Sequence, residues 1–375
     1  MKKIRLKKLI LPSLNAAAIA GIIVLTAAGS GMARAQKYNY TAEKWRGESR
    51  DSYYQMSCFF SDDSGMDTSR MRSVRGQIMT ALKKAAYDTG SGNRLFTDAY
   101  STDAGSAKVK CDISRRADAD IIAVGGDFFY FHSFELVSGA YFTEEDTMQD
   151  GAVIDRELAW ELYGSDDIAG KNIYINGVKC YISGVVENPE DRASKKCMKD
   201  VMRAYVSYDT AAAMAAGSSL SDFAGIEEDT SSKRISCYEC VLPEPVENFA
   251  SKTVKEIFEQ NYKGSVRFTG NTERFDPVRR EKAFRKIADS VIHDDGIKLP
   301  FWENSSRIAE YKLSWIYAAR HILITVPLLT LIWLGYRLIR LYSRNKTRLK
   351  QSIADGISRF ITNHRKNSAE KTETR

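Results

Sequence analysis

The fold of this chain is decided by residues 151–186, which read GAVIDRELAWELYGSDDIAGKNIYINGVKCYISGVV. The apolar run at 151–155 predicts a strand, and the pattern at 156–163 predicts a short helix. Asn176-Gly177 separates two alternating segments, 171–175 and 178–186, and this dipeptide is a strong signal for a two-residue hairpin turn. The stretch therefore predicts a strand, a helix and a β-hairpin in immediate succession.

This unit belongs to a larger insertion, about residues 119–214. An apolar strand is expected at 121–124, and an aromatic-rich helical segment at 127–134 follows Gly125-Gly126. Near its end, residues 203–208 read as a strand that precedes an alanine-rich helix. The insertion thus predicts a small α+β subdomain of its own.

The segments on either side of the insertion repeat one order of elements. Before it, the pattern predicts a strand, a helix and two strands, at 52–60, 67–87, 95–101 and 107–113. After it, the pattern predicts a strand, a helix, a strand and a further helix that Pro277 opens, at 235–242, 246–261, 265–269 and 276–292. Two strand–helix–strand units split by an insertion predict one α+β layer, a sheet with two helices on one face.

Two apolar spans flank these segments, at residues 9–31 and 322–339. Each has close to the ~20 apolar residues that cross a bilayer. Basic clusters lie on the side of each span that faces away from the middle of the chain, so the positive-inside rule predicts two cytoplasmic ends, residues 1–8 and 340–375. Residues 36–315 are then expected to form an extracytoplasmic domain of a plasma-membrane protein.

The first span has an alternative reading as a signal peptide. Residues 16–28 form an apolar core of suitable length, and Ala33-Arg34-Ala35 has the small-x-small form of a cleavage site. The apolar stretch extends back to Leu9, which favours a retained anchor. Under either reading the central domain faces outward.

The charge of the chain is concentrated at its ends. Residues 1–30 carry five basic and no acidic side chains, and residues 337–375 carry eleven basic and three acidic ones. Because the whole chain has a net charge of +7, the segment between them carries −6. A mildly acidic outer domain argues against nucleic-acid binding. The basic ends fit contact with anionic membrane lipid.

Side chains that often carry chemistry do not converge in this sequence. The CxxC of Cys237 and Cys240 falls in an expected strand, where residues three apart point to opposite faces, so buried thiols are favoured over a zinc or redox site. His293-Asp294-Asp295 could bind a cation, although an exposed helix end is the simpler reading. The stretch 164–172 lacks the spacing of a phosphate-binding loop. We therefore predict no catalytic, cofactor-binding or metal-binding residues, no cofactor and no enzymatic activity.

The most specific pattern extends from Gly125 to Val186. Its motif residues are Gly125-Gly126-Asp127-Phe128-Phe129, Phe134–Gly139, Phe142, Ala152–Asp155, Glu157–Ala159, Leu162–Gly164, Ile168–Lys171 and Ile182–Val186. In order and spacing this pattern resembles the extracytoplasmic (periplasmic core) domain of ABC transporter permeases of the MacB/FtsX type. The resemblance covers roughly residues 9–270 and is strongest over 119–210. It implies a porter-like split β-α-β layer with an inserted subdomain.

The same resemblance implies a role in transport. Permeases of this family have three membrane helices after the outer domain, whereas one span follows it here, so the resemblance implies a shortened form that depends on partners. The expected partners are ABC ATPase or permease subunits, in a non-enzymatic component of a transport or efflux complex. The alternative is an extracytoplasmic sensor or scaffold of the cell envelope that takes no part in transport.

Overall fold

The computed structural model describes residues 2–85, 94–198, 201–217, 234–261, 266–284 and 297–373. The described helices are α1 (Lys2–Ala35), α2 (Thr41–Arg46), α3 (Thr68–Lys84), α4 (Phe128–Phe131), α5 (Arg156–Tyr163), α6 (Arg192–Met198), α7 (Tyr208–Gly217), α8 (Phe249–Asn261), α9 (Pro277–Phe284) and α10 (Phe301–Glu373). The described strands are β1 (Tyr53–Phe60), β2 (Thr97–Cys111), β3 (Arg116–Gly126), β4 (Glu135–Gly139), β5 (Gly151–Asp155), β6 (Asn172–Ile175), β7 (Val178–Glu187), β8 (Arg203–Ser207), β9 (Cys237–Pro243) and β10 (Val266–Gly270).

The split layer is an antiparallel sheet in the order β10-β1-β9-β2. The late strands β9 and β10 lie on the two sides of the early strand β1, so the two halves of the layer interleave. Helices α3 and α8 cover one face of this sheet. Phe258 of α8 lies 5.2 Å from Phe60 and 5.8 Å from Tyr238, measured between ring centroids. The α+β class and the placement of two helices on one face are as predicted.

Helix α3 illustrates how local sequence sets these elements. The Asp67 carboxylate accepts a hydrogen bond from the Arg70 backbone N–H and caps the helix. The predicted apolar face is buried, with Met71, Val74, Ile78 and Leu82 at most 1% exposed. Burial of side chains of this size stabilises a fold by about 1.5–3 kcal/mol each, so this face anchors the helix to the sheet.

The second face of the sheet is also covered, which the sequence pattern did not predict. Phe59 and Val241 point to this face and are fully buried. They belong to an aromatic-rich core that includes Tyr38, Phe128 and Trp302. The cover comes from the segments just after the first span and just before the second, together with aromatic residues of the inserted subdomain around α4.

The inserted subdomain is a closed ring of strands. Pairing runs from β2 to β3, β8, β5, β7 and β6, and β6 returns to β2. The β3–β8 and β5–β7 pairs are parallel, and helices α5 and α7 pack on the ring. Since β2 belongs to both the ring and the split layer, the ten strands form one continuous sheet.

The hairpin β6–β7 confirms the predicted turn. Asn176 and Gly177 have φ angles of 47° and 85°, both positive, as a type I′ turn requires. Ile175 pairs with Val178 directly beside the turn. The register of the hairpin is therefore set by these two residues.

Three details of the sequence reading are corrected. The two strands expected at 95–101 and 107–113 are one strand, β2, because a bulge between Asp103 and Ser106 absorbs the Gly105 break. Strand β4 was not predicted, since only its pairing with β7 makes residues 135–139 extended. Helix α6 was not predicted either, because its short sequence lacks an apolar period.

The two membrane-span helices form a compact unit of their own, made of residues 1–28 and 316–375. Residues 10–35 and residues 301–344 each contain a helical stretch that is long and apolar enough to cross a membrane. Within this unit the Asn15 side-chain amide donates to the Thr330 hydroxyl at 3.1 Å. A Cβ built on Gly21 would lie 2.8 Å from Leu323, so the small residue permits close helix contact.

Candidate functional site

Two segments of the outer domain lead, in sequence, to the spans: residues 29–46 and residues 301–315. Within the compact unit of residues 29–315 they are joined by buried hydrogen bonds. The Ser305 hydroxyl donates to the Gln36 amide oxygen at 3.0 Å, and the Asn39 amide donates to the Ser306 hydroxyl at 2.9 Å. All four side chains are at most 5% exposed. These contacts fix the two segments to each other.

A buried ion pair extends this contact to the sheet. Arg274 follows β10 and is 5% exposed, and its guanidinium donates to both oxygens of the Glu303 carboxylate, at 2.7 and 2.9 Å. The same guanidinium donates to the Asn39 amide oxygen at 3.1 Å. Arg274 therefore holds both segments at once. We call the six residues Gln36, Asn39, Arg274, Glu303, Ser305 and Ser306 the junction network.

Further charges surround this ion pair. Arg307 donates to Glu303 at 2.8 Å, and Glu310 lies within 3.1 Å of Arg274 and 2.7 Å of Arg280. Burial alone would lower the pKa of Arg274, but Glu303 and Glu310 outweigh burial and raise the pKa. The guanidinium therefore stays charged at every pH at which the fold persists.

A second set of buried, hydrogen-bonded side chains lies against residues 301–315. The His132 imidazole Nε2 lies 2.5 Å from the Glu239 carboxylate, and Glu239 accepts a hydrogen bond from Ser57 at 3.1 Å. Trp302 of α10 lies 4.5 Å from His132 between ring centroids. Asn271, three residues before Arg274, donates to Ser57 at 2.8 Å. These side chains connect β1 and β9 to the start of α10.

The arrangement joins three parts of the outer domain: the sheet, residues 36–39 and residues 301–315. Its charged groups, Arg274 with Glu303 and His132 with Glu239, are buried and paired with each other, so they hold neighbouring elements in position. In the described part of the chain, no group of three or more His, Cys, Asp or Glu side chains is arranged to hold a metal ion. The junction network holds the sheet, residues 36–39 and residues 301–315 together.

The sequence reading missed these residues for a physical reason. Arg274, Glu303 and Asn39 are far apart in the chain and belong to no short motif. One signal was present: residues 302–306, Trp-Glu-Asn-Ser-Ser, place small polar side chains in the helix that becomes the second span. Such residues inside a helix indicate polar contacts with a neighbouring element.

The cysteines lie where strand alternation placed them. Cys237 is buried in the aromatic core on one face of the sheet, and Cys240 is buried under α3 and α8 on the other. Burial raises the pKa of both thiols well above the usual value, and it raises the pKa of Cys180 to about 12. The six cysteines are free thiols in this structure. The possible cation-binding stretch 293–295 lies outside the described residues.

The motif residues of the insertion have structural positions. Asp155 caps α5 by accepting a hydrogen bond from the Leu158 N–H at 2.9 Å. Gly139 has a φ of 77°, and a Cβ there would lie 2.2 Å from the Ser183 carbonyl oxygen, so β4 can pack closely only with glycine. Ala152, Ile154, Ile182 and Val185 are fully buried in the ring. These residues determine a fold, and this fold is the basis for comparison with other proteins.

The profile of the MacB-like periplasmic core domain matches residues 16–231, more than half of the chain. The chain belongs to the MacB-like periplasmic core domain family. The resemblance seen in the motif residues is thereby confirmed, and the chain is a membrane-anchored relative of ABC transporter permeases with an extracytoplasmic MacB-like domain.

Two curated relatives are macrolide export ATP-binding/permease proteins MacB. The protein from Pasteurella multocida is 32% identical over 79 residues, and the protein from Nitrobacter winogradskyi is 31% identical over 74 residues. These alignments cover 20% and 19% of this chain and 12% of each relative. The chain thus matches about an eighth of the length of these relatives.

The solved structures that match this chain include two outer domains. The periplasmic region of MacB from Actinobacillus actinomycetemcomitans has 15% identity and a TM-score of 0.37, with 68% of this chain and 99% of that chain covered. The extracellular domain of the noncanonical ABC-type transporter YknZ from Gram-positive bacteria has 12% identity and a TM-score of 0.36, with coverages of 57% and 99%.

Proposed function

We propose that this chain is a non-enzymatic component of an ABC-type transport or efflux complex and works with ATPase or permease subunits. The observation that carries the proposal is the junction network in a MacB-like domain. Arg274 binds Asn39 and Glu303, so it ties the segments that lead to both spans to the edge of the sheet beside β10. Such a linkage would pass movement of the spans to the outer domain, or the reverse.

The proposed organisation follows the charge pattern. Residues 1–8 and 340–375 would be cytoplasmic, the spans would be residues 9–31 and 322–339, and the outer domain would be residues 36–315 with its inserted subdomain at about 119–214. The contacts of Asn15 and Gly21 with the second span support retention of the first span as an anchor. The basic ends would contact anionic lipid.

Partner contact is proposed to run mainly through the outer domain. Leu328, Leu329 and Leu331 on the second span are bulky, and that span has no small-xxx-small spacing of its own. The inserted subdomain, in contrast, exposes a large aromatic side chain, Trp160, which is 51% exposed on α5. Exposed tryptophans are frequent anchors of protein interfaces.

Affinity purification of the full chain in mild detergent, followed by identification of bound proteins, tests this function. We expect an ATPase with a phosphate-binding loop or a multi-span permease to co-purify. Trp160→Asp should reduce its yield, whereas Val246→Asp, a matched change at a 70% exposed site outside the inserted subdomain, should not. Replacement of residues 322–339 by another apolar span should leave capture intact.

Two outcomes would contradict the proposal. Co-purification of only a kinase or a cell-wall enzyme would favour a sensor or scaffold. If the variant with residues 322–339 replaced loses the partner while Trp160→Asp still captures it, the membrane helix is the element that selects the partner.

A further inference from the structure

A cleft with a volume of about 190 Å³ opens between the split layer and the inserted subdomain. One face of α3 forms a wall with Thr68, Met71, Arg72 and Arg75. The end of β3, the start of α4, Tyr100 of β2, residues 142–149 and the start of α7 form the remainder. The lining contains none of the six residues of the junction network, and the proposed function does not account for the cleft.

Five aromatic rings belong to the lining of the cleft, alongside its polar and charged side chains. Its five rings belong to Tyr100, Phe128, Phe129, Phe142 and Tyr208. Tyr100 and Tyr208 meet edge to face at 5.7 Å, and Phe129 and Phe142 do so at 5.2 Å. A Cβ on Gly125 would lie 2.2 Å from the Tyr100 ring, so glycine is what admits this ring. Ring faces attract cations, and most strongly where water is excluded.

The charged side chains of the cleft carry an excess of carboxylates. Arg75 is fully engaged, because its Nε donates to Asp98 at 2.7 Å and its two terminal nitrogens donate to Glu144 at 3.2 and 3.1 Å. Asp146 and Asp209 also line the cleft, and Arg72 is its second cation. Three carboxylates of the lining, those of Glu144, Asp146 and Asp209, therefore face two guanidinium groups, which favours a positively charged ligand.

Tyr208 supplies an independent sign of a ligand. Its side chain lines the cleft and is 6% exposed, yet its buried hydroxyl has no hydrogen-bond partner among the described residues. Burial raises the pKa of Tyr208, so the phenol is neutral and its oxygen can accept a hydrogen bond. An unsatisfied buried polar group costs about 1–3 kcal/mol, and a ligand N–H would remove that cost.

We propose that this cleft binds a small primary ammonium compound with an apolar body. The ammonium group would donate to the Tyr208 hydroxyl and to the carboxylates, and the apolar body would pack on the rings of Phe129 and Phe142. Because α3 belongs to the split layer and α7 to the inserted subdomain, the ligand would bridge the two parts of the outer domain. The proposal does not depend on the transport role.

The test uses the full chain in detergent and isothermal titration with three probes of one shape. We expect 2-phenylethylammonium to bind saturably, 2-phenylethanol to bind at least tenfold more weakly, and 3-phenylpropionate not to bind. Tyr208→Phe should weaken the ammonium about tenfold, the scale of one net hydrogen bond. Asp209→Asn should weaken the binding of 2-phenylethylammonium, and Arg72→Gln should tighten it because a competing cation is removed.

Asp118→Asn is the matched control, since Asp118 is exposed on β3 outside the cleft and loses the same charge. The affinity of Asp118→Asn for 2-phenylethylammonium should equal that of the wild type. An unchanged unfolding midpoint shows that each variant is folded. Saturable binding of 3-phenylpropionate that Arg72→Gln abolishes would overturn the ligand class. Absence of ammonium binding, or equal binding by Tyr208→Phe and wild type, would overturn the site.

Discussion

Arg274 and Glu303 face each other in a buried bidentate ion pair, with N–O distances of 2.7 and 2.9 Å and side chains only 3% exposed. One residue follows the edge strand β10, and the other begins the helix that becomes the second span. Such a pair is costly to bury but still more costly to break, because the remaining charge is left without compensation. The pair therefore constrains where residues 301–315, at the start of α10, can lie against the sheet.

Loss of one member of this pair should destabilise the outer domain strongly. We expect Arg274→Met to lower the free energy of unfolding by about 3–5 kcal/mol, the scale for an uncompensated buried charge. Arg279→Met is the matched control, because its exposed ion pair with Glu273 is worth at most about 1 kcal/mol. Denaturant unfolding of the full chain, followed by tryptophan fluorescence, measures both. Equal effects would show that the Arg274 pair is solvated.

The turn of the β6–β7 hairpin should tolerate asparagine but not valine. A Cβ at Gly177 meets no atom within 4 Å, so any loss on substitution comes from its φ of 85°. We expect Gly177→Val to cost about 1–3 kcal/mol and Gly177→Asn distinctly less, since asparagine adopts positive φ more readily. Thermal unfolding of the two variants decides this. A midpoint for Gly177→Val at the wild-type value would contradict the strain.

Asp155 should make the outer domain more stable in mild acid than at neutral pH. Burial outweighs the hydrogen bonds from Leu158, Asn188 and Arg203 and raises the pKa of Asp155 to about 6. The unfolded value is about 3.9. Folded Asp155 thus binds its proton more tightly, and the stability this contributes is fully present below about pH 4 and lost as pH rises through about 6.

The measurement compares the free energies of unfolding of wild type and Asp155→Asn across this range. The free energy of unfolding of the wild type, relative to that of Asp155→Asn, should fall by roughly 2–3 kcal/mol between about pH 4 and pH 7.5. Asp118→Asn, at an exposed aspartate, is the control and should show a flat difference. A wild-type advantage that grows with pH would mean that the carboxylate is stabilised as an anion.

Topology is testable by cysteine labelling in intact cells. We expect a cysteine at the exposed position Lys108 to react with an impermeant maleimide, and one at Lys350 to react only after the membrane is opened. The half-exposed Cys197 is replaced by serine in both variants, and the buried cysteines serve as an internal background. Labelling of position 108 only after lysis would reverse the orientation.

The sequence by itself determined the features that depend on local pattern. The apolar face of α3, the type I′ turn at Asn176-Gly177, the two spans and the family motif of residues 125–186 all follow from spacing along the chain. These features can be predicted because each depends on residues close together in the chain, whose backbone preferences and alternation do not depend on tertiary contacts.

Only the tertiary structure decided how these parts meet. Strand β4 is extended because β7 pairs with it, β2 is continuous because the split layer and the ring of strands share it, and the second face of the sheet is buried under Tyr38, Phe128 and Trp302. The ion pair of Arg274 and Glu303 and the orphan hydroxyl of Tyr208 arise in the same way. Side chains far apart in sequence carry no mutual signal along the chain, and their energies depend on burial and on partners that folding alone supplies.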